Sequence, residues 1–325
     1  MLNKLQNYTS TSTDPYKNLA IEKYLFDKVS KDTCILYLWQ NQKTVVIGKN
    51  QNPWAESNCN ILSENGGKLA RRLSGGGAVF HDLGNLNFTF ISSAENMDIR
   101  KNLKVIQAAC RMAGIETEIS GRNDILADGK KFSGNAFYNS KGKAYHHGTI
   151  LINSDTEEMT KYLTPSKAKL EAKGVKSVKS RVVNLFDLVP ELNCDIMKEY
   201  MLSAFKEVFG LLPTQINTIN ESDIQNDIDR FSSWEFLYGS TIPFSVSFEK
   251  RFDWGTAQLL LQVADGIIQS SKLYTDALDC DLSVKVETAL QGCRFESTEI
   301  KKSLAAQLSV ALTKDFLNLI INNEE

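Results

Sequence analysis

The sequence contains no run approaching the roughly 20 apolar residues needed to cross a bilayer. Its first stretch, MLNKLQNYTSTSTDPYKNLA, is polar and lacks the apolar core of a secretion signal. Six cysteines, Cys34, Cys59, Cys110, Cys194, Cys280 and Cys293, show no CxxC spacing, so neither a zinc cage nor a disulfide framework is expected. They read as reduced thiols of a soluble cytoplasmic protein. There is no surplus of positive charge either: 37 Lys and Arg face 39 Asp and Glu, a net charge of -2. A dedicated nucleic-acid binder usually carries a basic field, so any anion site here must be local, and neither nucleic acid nor membrane is an expected partner. Internal repeats and low-complexity segments are also missing.

What is present suits a globular chain. Hydrophobic residues make up 42% and charged residues 23% of 325 positions, enough for a large domain and a smaller one. The boundary is expected near Pro243, giving domains 1–243 and 244–325. Asp14 before Pro15 reads as an N-cap with proline at the first helical position, opening a helix to about Lys28 whose apolar face uses Leu19, Tyr24, Leu25 and Phe26. CILYLWQ and TVVIG, separated by residues 41–43, read as a hairpin. Leu86 to Ile91 alternates as a half-buried strand, and 101–113 is helical. From 123 to 153 a meander is predicted, turning at Asp128-Gly129 and again at 139–142. Helices are expected at about 194–208 and 221–231. The tail then shows a hairpin at Asp265-Gly266 and two helices, one ending near Gly292 and one from about Glu299.

Three stretches carry chemistry. RRLSGGGAVFHDLGN, residues 71–85, strips Cβ atoms from about 10 Å of chain, so backbone N–H groups can approach a phosphate or carboxylate beside Arg71 and Arg72. It is neither a Walker loop nor GxGxxG, because Ser74-Gly75-Gly76-Gly77 leads into strand-like Ala78-Val79-Phe80. Read alone, it is as readily a bulge as a ligand loop. In the meander, a two-residue Asp128-Gly129 turn sets Lys131 opposite Leu126 and Ser133 opposite Asp124. That places Asp124, Lys131, Ser133 and Asn135 on one face, with Phe132, Gly134 and Ala136 on the other. A lysine beside a turn is usually solvated, but an acid, an amine, a hydroxyl and an amide together suit a polar site. His146 and His147 are adjacent on a strand and point to opposite faces, so they do not grip one metal ion. His81 can equally be an ordinary loop histidine. Finally, SKAKLEAKGVKSVKSR, residues 166–181, is a basic loop, either a solvated surface or an anion lid closing with Lys173, Lys179 and Arg181.

Taken together, RRLSGGGAVFHDLGN, GRNDILADGKKFSGNA and HHGTILIN resemble the lipoate-protein ligases, and the resemblance extends to TVVIGKNQNPW, to LEAKGVKSVKSRVVNL and to an accessory tail from about Pro243. It implies an α+β fold: mixed and antiparallel β-sheets flanked by helices, of the biotin/lipoate ligase and class II synthetase-like kind, with a small α+β C-terminal domain. It implies an ATP- and Mg2+-dependent reaction in which lipoate becomes lipoyl-AMP and is passed to a lysine of an acceptor. The acceptors would be lipoyl domains of 2-oxoacid dehydrogenase E2 subunits or the glycine cleavage H protein. Carried over by position, Lys131 is the essential lysine. Gly75, Gly76, Gly77, Ala78, Val79, Asn123, Asp124, Lys173, Lys179 and Arg181 join it around ATP and the adenylate, with Asp124 the candidate Mg2+ ligand. Val45, Arg71, Ser74, Gly75, Gly76, His147 and Gly148 are the lipoate-binding set, and Ile47, Val79 and Phe80 are further candidates for an apolar tunnel. A monomer is expected. Two rivals remain at this stage: an ATP-independent octanoyl or lipoyl transferase working through a cysteine thioester, and a binding module without catalysis.

Overall fold

The computed structural model describes residues 2–120, 124–164, 182–238, 246–264 and 266–321. In chain order the strands are β1 (Lys4–Thr9), β2 (Thr33–Trp39), β3 (Thr44–Ile47), β4 (Lys68–Arg71), β5 (Val79–His81), β6 (Asn85–Ser93), β7 (Glu118–Ser120) and β8 (Asp124–Ala127). They continue with β9 (Lys130–Ser140), β10 (Lys143–Leu151), β11 (Pro213–Gln215), β12 (Val246–Phe252), β13 (Gly255–Ala264) and β14 (Ile267–Thr275). The described strands form one eight-stranded sheet ordered β11-β1-β2-β6-β10-β9-β8-β7 and two three-stranded sheets, β4-β3-β5 and β12-β13-β14. Pairing is antiparallel apart from β1 with β2 and β11, and β3 with β4. The fold is thus the expected mixed α+β arrangement.

The first helix runs from Pro15 to Lys28 as its cap predicts: Asp14 accepts hydrogen bonds from the N–H groups of Tyr16 and Lys17. It buries Leu19, Leu25 and Phe26 against one face of the large sheet, with Ile35, Tyr37 and Tyr145. Helices Ile99–Met112 and Cys194–Phe209 cover the other face, packing on Leu36, Leu38, Phe88 and Phe90. The central strand β6 is therefore buried along its whole length, and the half-exposed reading of its alternation is corrected. Its polar residues, Asn85, Asn87 and Thr89, face the interior of the protein.

The expected β2–β3 hairpin does not form. β2 joins the large sheet while β3 is the centre of the small β4-β3-β5 sheet, and residues between them bridge two layers. β5 and β6 are divided between the same two sheets, so the glycine stretch between β4 and β5 crosses the end of β3 and overhangs the large sheet. Beyond residue 246, the three-stranded sheet and helices Leu282–Leu290, Ser297–Ala305 and Val310–Ile321 enclose a core of their own around Leu259, Val286, Phe316 and Leu319. The single helix expected from Glu299 is two helices. The domain boundary expected at 243/244 lies outside the described residues.

Candidate active site

The meander supplies the lysine. Lys131 pairs with Leu126 across the Asp128-Gly129 turn, where both turn residues take positive φ (50° and 68°). Two residues on, the register departs from expectation. A bulge makes Ser133 the partner of Ile125 and Gly134 the partner of Asp124. One extra residue reverses the alternation. Asp124 and Lys131 stay together, 2.7 Å apart, but they share their side with Gly134, whose Cβ position would lie 3.0 Å from Lys131 Nζ. Ser133 and Asn135 turn to the buried side, where Asn135 Oδ1 lies 2.8 Å from His146 Nε2. The predicted four-residue polar face is thus a pair and a separate buried cluster.

The glycine stretch is shaped by two arginines with different tasks. Arg71 donates to the carbonyls of Gly48, Lys49, Gln51, Phe236 and Leu237, which ties β4 to the segment after β3 and to helix Trp234–Tyr238. Every one of its nitrogens is spent on backbone, so it does not reach the ligand cavity as expected. Arg72, buried, donates to Ser74 Oγ (3.0 Å) and to the carbonyls of Val46, Gly75 and Gly77 (3.1, 2.7 and 2.8 Å). A guanidinium fork is the side chain that can hold several carbonyls of one loop at once. Gly76 takes φ +89°, and its N–H donates to Ala277 O of the C-terminal unit at 3.1 Å. Gly75 faces the same segment: a Cβ there would sit 2.2 Å from Ala277 O.

Between this loop and the sheet lies a cavity of about 130 Å³. Gly76, Gly77, Ala78 and Val79 form its roof, and Lys131, His147, Gly148 and Thr149 line the sheet side together with Gly134 to Ala136. Lys131, a little over a third exposed, marks the open end. Leu19, Trp39 and Val46 form apolar walls, joined by Arg72, His81 and Asn87. Of the predicted ligand residues, Val45 is misplaced, because alternation along β3 sends it into a separate core with Ile47 and Phe80 and gives the cavity Val46. Ser74 and Gly75 lie behind the lining. Asn123, Lys173, Lys179 and Arg181 lie outside the described residues.

Ser74 acts from that second layer. Its hydroxyl accepts from Arg72 and lies 2.7 Å from His147 Nε2, and His147 Nδ1 lies 2.8 Å from Glu22 Oε1. Glu22 also accepts from Thr89 Oγ1, which accepts from Trp39 Nε1. With Nδ1–H donated to the carboxylate, Nε2 is left to accept the serine proton, so helix, sheet and loop are locked by one buried chain. Adjacent His146 points the opposite way, as strand geometry requires, into a cage of Phe88, Phe90 and Phe137. Burial pushes it down to about 3, so it is neutral. The contributions of Glu22, Trp39, Asn87 and Thr149 went unread in the sequence. For Asn87 and Thr149 the local signal is the polar half of the alternation in β6 and β10; Glu22, in the first helix, and Trp39, at the end of β2, carry no such mark.

A triple-glycine loop thus roofs a mixed sheet, with a hairpin lysine at the mouth of the narrow cavity between them. Residues 14–206 match the lipoyl protein ligase A/B catalytic domain and residues 241–324 the bacterial lipoate protein ligase C-terminus. A lipoate-protein ligase A of Bdellovibrio bacteriovorus is 38% identical over all of this chain and 97% of its own length. Among solved structures, the Plasmodium falciparum LipL1 complex with lipoate superposes with a TM-score of 0.86, at 28% identity, covering 98% of this chain and all of that one. A lipoate-protein ligase A bound with ATP gives 0.64 at 26% identity, covering 74% and 99%. A bipartite ligase of Thermoplasma acidophilum, described with its E2 lipoyl domain, gives 0.64 at 27%, covering 76% and 100%. The chain belongs to the lipoate-protein ligase family.

Proposed function

We propose that this protein activates free lipoate with ATP, forming lipoyl-AMP and pyrophosphate, and then transfers the lipoyl group to a lysine of an acceptor lipoyl domain. The observation that carries the reading is the convergence of Lys131 and the Gly76–Val79 backbone on one cavity with apolar inner walls. A carboxylate is a poor electrophile; its mixed anhydride with AMP is a good one. As the carboxylate attacks the α-phosphorus, charge accumulates on phosphoryl oxygens, where a fixed ammonium stabilises the transition state more than the ground state. Lys131 is held for this by Asp124 and would exchange that partner for phosphate. In the second step the acceptor lysine must attack as the free amine, although its ordinary pKa near 10.4 keeps it protonated at neutral pH. Positioning in a water-poor cavity favours attack over hydrolysis, and Lys131 can serve again at the oxyanion and the departing AMP.

Mg2+ would be held by the nucleotide's phosphates with one protein carboxylate, the usual manner of binding for this ion. Asp124 fits that part, since it adjoins Lys131 and is released when the lysine turns to phosphate. Bound there, the ion would neutralise developing phosphate charge. A thioester route needs a cysteine in the cavity, and none of the described lining residues is one. The acceptors we propose are lipoyl domains of E2 subunits or an H-type protein, met by a monomeric, cytoplasmic ligase. The test is Lys131→Ala assayed for pyrophosphate release with lipoate, ATP and Mg2+. Loss of at least about a hundredfold in rate is expected, with the fold kept because a part-exposed ion pair contributes about 1 kcal/mol or less. Near-normal release by the folded variant would remove Lys131 from the reaction.

A further inference from the structure

Two buried polar side chains on the cavity wall have no partner for one nitrogen each: His81 Nε2 and Asn87 Nδ2, on residues 3% and 1% exposed. Polar groups so buried are ordinarily satisfied, and those left over inside a ligand cavity point to the ligand. The hydrogen bonds behind each residue fix what it offers. Behind His81, the hydroxyls of Ser10 and Tyr37 donate to Asn18 Oδ1, and Asn18 Nδ2 donates to Asn41 Oδ1. Asn41 therefore presents its amide nitrogen to His81 Nδ1, at 3.2 Å. A nitrogen that accepts there leaves the ring proton on Nε2. Behind Asn87 there is a single bond: Asn85 Nδ2 donates to Asn87 Oδ1 at 3.0 Å, with Asn85 Oδ1 itself unpartnered, and this leaves Asn87 Nδ2 as the free end. The anchored run behind His81 and the single bond behind Asn87 each end in a neutral N–H. They end beside one side chain: His81 meets Trp39 edge to face, with centroids 6.0 Å apart, and Asn87 is the cross-strand partner of Trp39.

We infer that His81 and Asn87 form a pair of preorganised neutral donors that bind an anionic oxygen of the reacting group, either the acyl carboxylate or the α-phosphoryl. The inference deepens the proposed function and rests on it for the identity of that group. Donors oriented by second-layer bonds before the ligand arrives stabilise charge without reorganising. His81 stays neutral while doing so, because burial, with Arg72 and His147 nearby, pushes it down to about 3. It serves as a hydrogen-bond donor and takes no part in proton transfer. Thr149, opposite Asn87 on β10, and Lys131 line the same cavity, so the pair works beside the catalytic ammonium.

The experiment uses the full chain with two variants. Asn87→Asp keeps the oxygen that accepts from Asn85 and exchanges the free donor for a carboxylate oxygen; His81→Phe removes the other donor on a different sheet. Binding of octanoate, 1-octanol, AMP and adenosine is measured by calorimetry. A roughly ten- to hundredfold loss for octanoate with 1-octanol unchanged assigns the donors to the carboxylate. The same loss for AMP with adenosine unchanged assigns them to the phosphoryl. Unchanged affinity for both anions in either folded variant overturns the pairing, as does a wild type that binds neither anion. Should one variant fail to fold, the other decides. Acyl-AMP formation by the wild type, followed by mass spectrometry, judges the ligase reading separately: anion binding lost in the variants, with a wild type that makes no acyl-AMP from either lipoate or octanoate, would retain the donors and sink the ligase.

Discussion

Mild acid should destabilise this protein through histidines that fold neutral. His146 sits among three phenylalanine rings 4.9 to 5.9 Å away, donates Nε2–H to Asn135 Oδ1, and has no partner at Nδ1. Protonation would place a charged N–H against aromatic carbon. Burial, with His147 beside it, pushes it down to about 3, and His81 is pushed down to about 3 by burial with Arg72 and His147 nearby. In the unfolded chain both titrate near 6.5. Below that value the unfolded state binds protons that the folded state refuses, so stability is full above about pH 6.5 and declines as pH falls toward 3. The slope is about 1.4 kcal/mol per pH unit for each histidine once the unfolded form is mostly protonated. Between pH 6 and 5, before most carboxylates titrate, the two together cost about 2 kcal/mol. The assay is urea unfolding followed by tryptophan fluorescence at each pH, for wild type and for His146→Phe, which extends the aromatic cage. The variant should lose about half of the slope. A flat wild-type profile over that window, or a full slope in the variant, would refute the burial argument.

Other substitutions probe the loop. Arg72→Lys retains charge but replaces a fork holding three carbonyls and a hydroxyl with one ammonium; we expect about 3 kcal/mol of destabilisation in urea melts, and a change under 1 kcal/mol would show that the loop holds itself. Gly75→Ala places a methyl 2.2 Å from Ala277 O, so hydrogen exchange should quicken at the Gly76 amide, and unaltered protection would contradict the contact. Glu22→Ala leaves His147 Nδ1 and Thr89 Oγ1 without their buried acceptor; a loss of about 2 kcal/mol is expected in thermal melts, with no loss if the chain through Ser74 is incidental.

Sequence alone determined the elements whose causes are local. Asp14-Pro15 starts its helix because the cap and the proline act within one turn. The Asp128-Gly129 turn set Lys131 opposite Leu126 because a tight turn leaves no slack in the first pairs. The glycine triplet by itself was as readily a bulge as a ligand loop, and it was the resemblance of the whole set of motifs to the lipoate-protein ligases that marked it as the loop around a ligand. Tertiary structure decided the rest. Whether Val45 or Val46 meets the cavity depends on which sheet receives β3, and the bulge after Lys131 depends on what Phe132 and Ser133 pack against. Adjacent arginines with the same chemistry part company because one meets the backbone of helix Trp234–Tyr238 and the other the loop itself. Glu22, distant in the chain, and His81 and Asn87, six residues apart but on different sheets, acquire their meaning only in three dimensions: a hydrogen bond has direction, and whether a buried side chain gives or receives is set by the neighbour that folding brings to its other end.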